Sequence, residues 1–369
     1  MQSNEDALVE ALKIHFSCDK RRIKFLALLI VSLLKLADSS LAQWALGINQ
    51  PTLGSSRFRR FQRFLGQFRF SARLYAQVLW QRYGQGKEVV LTLDRTQYQQ
   101  GKEWIQFLVL GIAHQRMSIP LLWTSANREG NCTAIARRAI LKRLTEWIQP
   151  RSDQRVYLTA DRELVGPAFR AKQTIEWGLI PLIRIRSNAW IEHQGRRQRA
   201  AVVFDTPHWR CLRKPRKVYG SMLYLCGKRL ADDDFLILYS DRYLATMGAL
   251  YAQRWSIETL FGAYKSRGFN LEACRVTDHH RLRCLLFVLS IGLMWAIETG
   301  TWLLQQGKCI ATRVVKQLTQ SDPAAEVSVV TPKPGRAVYS LFRHGLDELR
   351  DKVLNYQSLI HLIPLLSCH

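Results

Sequence analysis

The sequence is poor in acidic side chains and lacks any long uncharged apolar run. It has 29 Asp and Glu against 54 Lys and Arg, so its formal charge is +25 and its isoelectric point is about 10.1. The longest uncharged apolar run, Cys284–Ile297, has 14 residues, which is too short to span a bilayer. We therefore expect no membrane span. The positive charge favours a polyanionic partner, with nucleic acid ahead of an anionic membrane surface.

The sequence also lacks a CxxC pair, an internal repeat and a low-complexity tract. Its eight cysteines are scattered, which argues against a disulfide framework or a zinc site and predicts reduced thiols in a cytoplasmic protein. The apolar stretch Phe25–Ser32 has no small-residue cleavage site, so it predicts a buried helix rather than a signal peptide. A chain of 369 residues that is 47% hydrophobic predicts a globular protein of two or three domains.

Residues 1–80 have the pattern of a helical domain that binds DNA. Ser39-Ser40 and Gly47 are typical ends for the short helix between them, and Gly54 precedes a basic helix at Ser56–Leu65. This outline is similar to a helix-turn-helix. It predicts that three arginines of the second helix face outward toward DNA: Arg57, Arg60 and Arg63. An ordinary helical domain with a charged surface is the alternative.

After Lys87 the pattern changes to an α/β arrangement. Asp94 follows the first predicted strand and Asp161 follows the fourth. Acids at the carboxyl ends of strands lie at the functional edge of an α/β sheet. The predicted strands are at 89–93, 104–112, 119–124, 155–159 and 179–185, with helices at 133–148 and 167–178.

Residues 188–240 predict a basic, β-rich insertion into this core. Between Arg184 and Arg229 there are twelve Lys and Arg but two acids, so we expect the insertion to contact the DNA backbone. The predicted division of the rest of the chain is a core at 88–187 and 241–275 and a helical C-terminal region at 276–369.

The segment from Tyr251 to Lys265 carries the strongest pattern for a site. Its offsets predict that Tyr251, Arg254, Glu258 and Lys265 share one face of a helix, with Trp255 in the core. A carboxylate beside two cations and a phenol suits a metal ion bound to nucleic-acid phosphate. The acid would hold the metal and the other three side chains would hold the DNA backbone. A solvated helix with a Glu258–Arg254 ion pair is the simpler alternative.

Asp94, Asp161 and Glu258 are the candidate catalytic acids. Two aspartates at strand ends and a glutamate on a late helix can converge on two Mg²⁺ ions, which prefer oxygen ligands and leave positions for water and phosphate. Mn²⁺ is expected to substitute for Mg²⁺. The sequence therefore predicts metal-dependent chemistry on a nucleic-acid backbone.

These residues resemble the DDE transposases of the insertion-sequence-four family. Asp94 lies in LTLDRTQ, Asp161 lies in LTADREL, and the spacing Y-x2-R-x3-E-x6-K matches the YREK signature. The resemblance implies an RNase H-like mixed-sheet core interrupted by the β-rich insertion, with a helical end-binding domain before it and a helical dimerisation region after it. It also implies a homodimer on double-stranded DNA that nicks transposon ends, forms hairpins and transfers strands in the cytoplasm, at the nucleoid.

One position departs from the family pattern. Close relatives have a Trp that stacks on a flipped base at the start of the strand before the acid-bearing helix, and Phe235 stands there in this sequence. A Phe ring can also stack, while a core role for Phe235 is the alternative. The resemblance further implies phosphate contacts for Arg184 and Arg186. A catalytically silent DNA-binding protein of the same descent is the second candidate function, and the inverted repeats and target sequence are not specified.

Overall fold

The computed structural model describes residues 4–15, 19–48, 51–162, 177–231, 234–310 and 340–366. The helix predicted at 167–178 therefore lies outside the described residues, apart from a turn at 177–178. The remaining predicted strands and helices between 88 and 187 are confirmed, with longer strands than the apolar runs alone indicate.

The N-terminal part is helical, as predicted. Ser40 caps the third helix, since its hydroxyl accepts a hydrogen bond from the Gln43 N–H, and Phe61 and Leu65 are buried on the fourth. The helices are α1 Asn4–His15, α2 Lys20–Leu36, α3 Leu41–Gly47, α4 Gly54–Gln67 and α5 Ala72–Tyr83.

The three arginines of α4 do not all face outward. Arg60 and Arg63 are exposed, and the guanidinium of Arg60 lies 4.6 Å from the ring centre of Phe25. Arg57 is half-buried and donates a hydrogen bond to the carbonyl of Ile48, the residue that ends α3. Arg57 therefore does not point straight outward as predicted, because it satisfies a free carbonyl at a helix end.

The centre of the molecule is a mixed sheet with the order β3-β2-β1-β4-β5-β11-β10-β8, and β9 pairs with β10. β1, β2 and β3 form an antiparallel meander, whereas β4 and β5 run parallel to β1. The elements of this half are β1 Glu88–Gln100, β2 Glu103–His114, β3 Met117–Asn127, α6 Ala134–Trp147, β4 Arg155–Ala160 and β5 Ile180–Ile185.

The predicted insertion is β-rich, but most of its strands extend the central sheet. β11 pairs with β5, and β10 and β8 follow it, because the apolar β11 requires a hydrogen-bonded partner on each side. β6 and β7 form a separate two-stranded ribbon. The elements are β6 Trp190–His193, β7 Arg196–Arg199, α7 Ala200–Val203, β8 Arg210–Cys211, β9 Arg216–Val218, β10 Ser221–Arg229 and β11 Phe235–Ser240.

One pair of cysteines corrects the prediction of reduced thiols throughout. Cys211 on β8 lies directly opposite Cys226 on β10, and the two form a disulfide. A separation of 15 residues carries no signal in the sequence, because strand pairing alone brings these side chains together. Cys132, Cys274, Cys284 and Cys309 are free thiols.

The C-terminal part consists of helices that pack on the sheet and on α2. The longest of them, His279–Gln305, is largely buried, and one continuous hydrophobic cluster joins the N-terminal helices, the sheet and these helices. The elements are α8 Met247–Ala252, α9 Ser256–Tyr264, α10 His279–Gln305 and α11 Leu341–Leu354, with short 3-10 helices at Gln253–Trp255, Leu271–Cys274 and Ile363–Leu366.

In the described part of the chain, one helix, α10, is long and apolar enough to cross a membrane. Its apolar window is 89% buried inside the protein, as expected for a core helix. α2 and α3 pass the same test only if they count as one span, although they are bent by 95°. This is weak evidence for a membrane segment.

Candidate active site

Strand pairing places Asp94 and Asp161 next to each other. β1 runs parallel to β4 up to the pair Leu93–Ala160, and the two aspartates are the next residues along the chain, Asp94 within β1 and Asp161 just after β4. Neighbouring strands lie about 4.8 Å apart, so the carboxylates meet at one edge of the parallel pair. The apolar run predicted that the first strand ends before Asp94, and this boundary is wrong. β1 continues to Gln100 because β2 pairs with it there.

The segment that carries Glu258 is not one regular helix. A 3-10 turn at Gln253–Trp255 separates α8 from α9, and Lys265 follows the end of α9 with a non-helical backbone. A 3-10 turn has fewer residues per turn than an α-helix, so it changes the direction of each side chain. Lys265 is therefore not on the predicted common face, whereas the other three residues stay together, since the Arg254 guanidinium bonds to Glu258 and lies 5.8 Å from the centre of the Tyr251 ring.

Arg254 lies between two of the three candidate acids. Its Nη1 donates to Oδ2 of Asp94 at 2.9 Å and its Nη2 donates to Oε1 of Glu258 at 2.7 Å. The Arg254 side chain is 7% exposed. Burial opposes its charge, but the neighbouring Tyr251, Asp94 and Asp161 and the bond to Glu258 hold the pKa of Arg254 above its usual value. All three acids therefore act on one guanidinium.

The surroundings of Asp94 shift the pKa of its carboxyl strongly. Burial raises the pKa of Asp94 to about 6. The Arg254 guanidinium and the Arg95 N–H oppose this rise, whereas the negative charges of Asp161 and Glu258 add to it. The side chains of Asp161 and Glu258 are therefore near enough to Asp94 to disfavour its charged form.

Asp161 is held by a second set of ion pairs. Arg184 on β5 lies 3.9 Å from the Asp161 carboxylate and pairs more closely, at 2.7 Å, with Asp234. Arg184 also donates to the backbone carbonyl of Phe235. Asp234 was not a predicted site residue, since it ends a run of three aspartates that is typical of a solvated turn. Arg186 is exposed just beyond the end of β5.

Tyr251 and Lys265, the two other predicted site residues of this segment, contact other parts of the protein. Tyr251 is 2% exposed in a hydrophobic cluster, and its hydroxyl has no hydrogen-bond partner among the described residues. The Lys265 ammonium donates to the carbonyl of Gln97 at 2.9 Å and pairs with Glu272 at 3.1 Å. Burial of Tyr251 leaves no surface on it for a DNA backbone.

Of two aromatic side chains near the acids, Trp255 differs from the prediction and Phe235 agrees with it. Trp255 is 58% exposed, so its assignment to the core is wrong, and its ring lies 5.2 Å from the Arg254 guanidinium. Phe235 begins β11 as predicted and is half-buried against the main hydrophobic cluster. The position of Trp255 follows from the 3-10 turn, which a helical pattern does not reveal.

The donor set fits a magnesium ion in its chemistry. Carboxylate oxygens are the ligands that Mg²⁺ prefers, and three carboxylates supply enough charge for divalent cations. Within the described ranges, no three His, Cys, Asp or Glu side chains are arranged to hold one ion. Instead, the Arg254 guanidinium bridges Asp94 and Glu258. The acids are therefore paired with an internal cation in this structure.

Carboxylates at the edge of a mixed sheet and on a helix packed against it define an RNase H-like α/β protein. The family model for the transposase DDE domain matches residues 82–295, more than half of the chain. The chain belongs to this family, whose members are transposases that generally use divalent metal ions. No curated protein matches the sequence.

The raised pKa of Asp94 predicts a pH-dependent stability. The carboxyl of Asp94 binds its proton more tightly in the folded protein than in the unfolded chain. The proton therefore stabilises the fold fully below the ordinary pKa of 3.8, and this stabilisation is lost as the pH rises through about 6. We expect Asp94→Asn to melt at a higher temperature than the wild type above about pH 6 in EDTA, because Asn removes a cost of roughly 3 kcal/mol. The difference should shrink toward about pH 4.

Thermal melts of both proteins at matched pH values measure this effect. Asp153→Asn is the control, since Asp153 is an exposed acid that pairs with Arg151 away from the site. Parallel curves of melting temperature against pH for the wild type and Asp94→Asn would show that Asp94 ionises without cost.

Proposed function

We propose that this protein is a cut-and-paste transposase of the insertion-sequence-four type. It binds the terminal inverted repeats of its element as a homodimer, nicks the DNA ends, cleaves them through a hairpin and transfers the strands to target DNA. The observation that carries this proposal is that Asp94 and Glu258 share one buried guanidinium, while the pairing of β1 with β4 brings Asp161 beside Asp94. Two acids of a sheet and a third on the helix packed against it have a use in phosphoryl chemistry that an ordinary structural ion pair does not require.

Asp94, Asp161 and Glu258 are the residues that would hold two Mg²⁺ ions, with Mn²⁺ as a substitute. When bound, such ions supply a strong nucleophile and neutralise the charge that develops on the leaving 3′ oxygen. The chain's own contribution is to orient the acids. β1 and β4 set the spacing of the two aspartates, and Arg184 holds Asp161 relative to Asp234.

We propose that DNA follows the exposed cations around this site. Arg60 and Arg63 on α4 are open to solvent, as is Arg186 beyond β5. Arg184 can reach a phosphate only at the expense of its pair with Asp234. We propose that Tyr251 and Lys265 hold the segment of Glu258 in place and do not bind DNA, since Tyr251 is buried and Lys265 links the end of α9 to β1. The domain division and the C-terminal dimerisation region stand as parts of the same proposal.

A catalytically silent DNA-binding protein is the alternative function. Incubation of the purified protein with DNA that carries the element's ends, with Mg²⁺ or with EDTA, separates the two. The proposal predicts nicks at the element's ends only when the divalent ion is present. Binding without divalent-dependent nicking would favour the silent alternative.

The role of Phe235 is tested by replacing its ring. Base stacking is worth about 1–3 kcal/mol, so a stacking role predicts that Phe235→Ala slows the hairpin step by roughly tenfold to a hundredfold and leaves the first nick intact. Phe235→Trp should retain that step. Gels that resolve nick, hairpin and double-strand break measure the three stages.

A thermal melt is the companion measurement for this variant. Phe235 packs against the main hydrophobic cluster, and loss of a buried Phe side chain costs roughly 3–5 kcal/mol. A lowered melting temperature together with an equal loss at every stage would assign Phe235 to the core and remove the stacking role.

A further inference from the structure

The guanidinium of Arg254 uses the oxygens that a metal would need. Oδ2 of Asp94 and Oε1 of Glu258 each accept a hydrogen bond from it. The second oxygen of Asp94, Oδ1, accepts the Arg95 N–H at 2.8 Å. Each oxygen of Asp94 therefore accepts one hydrogen bond from the protein and keeps one lone pair, so an ion that binds Oδ2 shares this oxygen with the guanidinium and is repelled by its positive charge.

The charge balance explains why an arginine lies here. A buried cation is costly unless it is paired, and close carboxylates repel one another unless a cation separates them. Arg254 satisfies both conditions, because it bonds to Asp94 and Glu258 with separate nitrogens. It supplies the positive charge that a divalent ion would otherwise supply to the same pair of acids.

Aromatic rings surround the guanidinium of Arg254 in addition to the two acids. Its Nε has no hydrogen-bond partner among the described residues. The ring centres of Tyr251 and Trp255 lie 5.8 Å and 5.2 Å from the guanidinium, and Trp255 is exposed. An aromatic face stabilises a cation within about 6 Å, so these rings also stabilise the charge of Arg254 beside the carboxylates.

We propose that Arg254 is an internal counter-ion that competes with the divalent metal for Asp94 and Glu258. The metal site forms only when the guanidinium leaves these carboxylates, so the arginine lowers metal affinity in the DNA-free protein while it stabilises the fold. This inference rests on the proposed function for the identity of the ligand, and it assigns Arg254 a role as a positioning residue.

Direct measurement of Mn²⁺ binding tests the inference without an activity assay. Isothermal titration of the DNA-free full-length protein with MnCl₂ should show Arg254→Gln binding Mn²⁺ at least about tenfold more tightly than the wild type. Arg254→Lys should fall between them, because an ammonium cannot bridge two carboxylates as a guanidinium does. Asp94→Asn should bind Mn²⁺ more weakly than the wild type, because the amide lacks the negative charge of the carboxylate ligand.

Thermal melts distinguish competition from a purely structural role. In EDTA, Arg254→Gln should melt below the wild type, and Mn²⁺ should raise its melting temperature more than that of the wild type, since the ion replaces the lost cation. Arg82→Gln is the matched control, because Arg82 pairs with the partly buried Glu298 at 3.1 Å outside the site. Arg82→Gln should lower the melting temperature and leave Mn²⁺ affinity unchanged.

Equal or weaker Mn²⁺ binding in folded Arg254→Gln and Arg254→Lys would overturn the inference. If Arg254→Gln does not fold, the same criterion applies to Arg254→Lys alone. Failure of the proposed function has a different signature, namely wild-type protein that binds Mn²⁺ and never nicks DNA.

Discussion

Replacing any one of the three candidate acids by its amide is expected to abolish divalent-dependent nicking, with a loss of at least about 10³-fold. Glu258→Gln, Asp94→Asn and Asp161→Asn each remove a ligand charge while they keep the size of the side chain. A metal ion contributes several kcal/mol to the stabilisation of the transition state, and about 4 kcal/mol corresponds to a factor of 10³ in rate. A single-turnover assay on DNA with the element's ends measures the loss.

Glu146→Gln provides the control for this series. Glu146 is an exposed acid on α6 that pairs with Lys142, away from the sheet edge, so its amide should nick at the wild-type rate. Melting temperatures should show that all four variants fold. A folded Glu258→Gln protein that nicks and joins ends at close to the wild-type rate would refute the catalytic assignment.

The second large effect is expected in the salt dependence of DNA binding. The insertion carries cations that are exposed in the structure, among them Arg196 and Arg197 on β7 and Arg213 and Lys217 around β9. Each phosphate that a cation neutralises contributes about −0.9 to the slope of log K against log salt. Changing these four residues to Gln should make the slope less negative by up to about 3–4 and weaken binding at low salt.

Arg216 must be left in place in that variant. It donates to His193 and to two backbone carbonyls, so it supports the fold of the insertion and is not a free surface charge. As a control, Arg138→Gln, Lys142→Gln and Arg143→Gln on α6 together remove three exposed charges outside the insertion. A slope that does not change with the insertion variant, or that changes equally with the control, would show that the insertion does not follow the DNA backbone.

The strands and their acids were predictable because their signals are local. An apolar run followed by Asp predicts a strand before each acid, and β1 pairs with β4 up to Leu93 and Ala160, the residues before Asp94 and Asp161. The sheet, and not the local sequence of Asp94, determines how deeply this side chain is buried. Burial raises the pKa of Asp94, and Arg254, which is 160 residues away along the chain, opposes this rise.

The fate of the basic residues could not be predicted from their spacing. Arg57 and Arg63 are equivalent by composition, yet Arg57 bonds to the end of α3 while Arg63 is exposed. Arg184 and Arg186 alternate in the sequence, yet Arg184 lies on β5 and pairs with Asp234, whereas Arg186 follows the end of the strand and is exposed. A cation is equally suited to a phosphate, a carboxylate and a helix-end carbonyl, so only the arrangement of neighbours decides among them.

The sequence by itself determined the α/β class and the basic character and singled out the three candidate acids, because hydrophobic periodicity, net charge and motif spacing are properties of the chain. The tertiary structure alone decided the disulfide between Cys211 and Cys226, the exposure of Trp255 and the burial of Arg254 between Asp94 and Glu258. Each of these depends on which strands pair and where a helix tightens into a 3-10 turn. Those contacts join residues that are distant in sequence, and a local pattern carries no information about them.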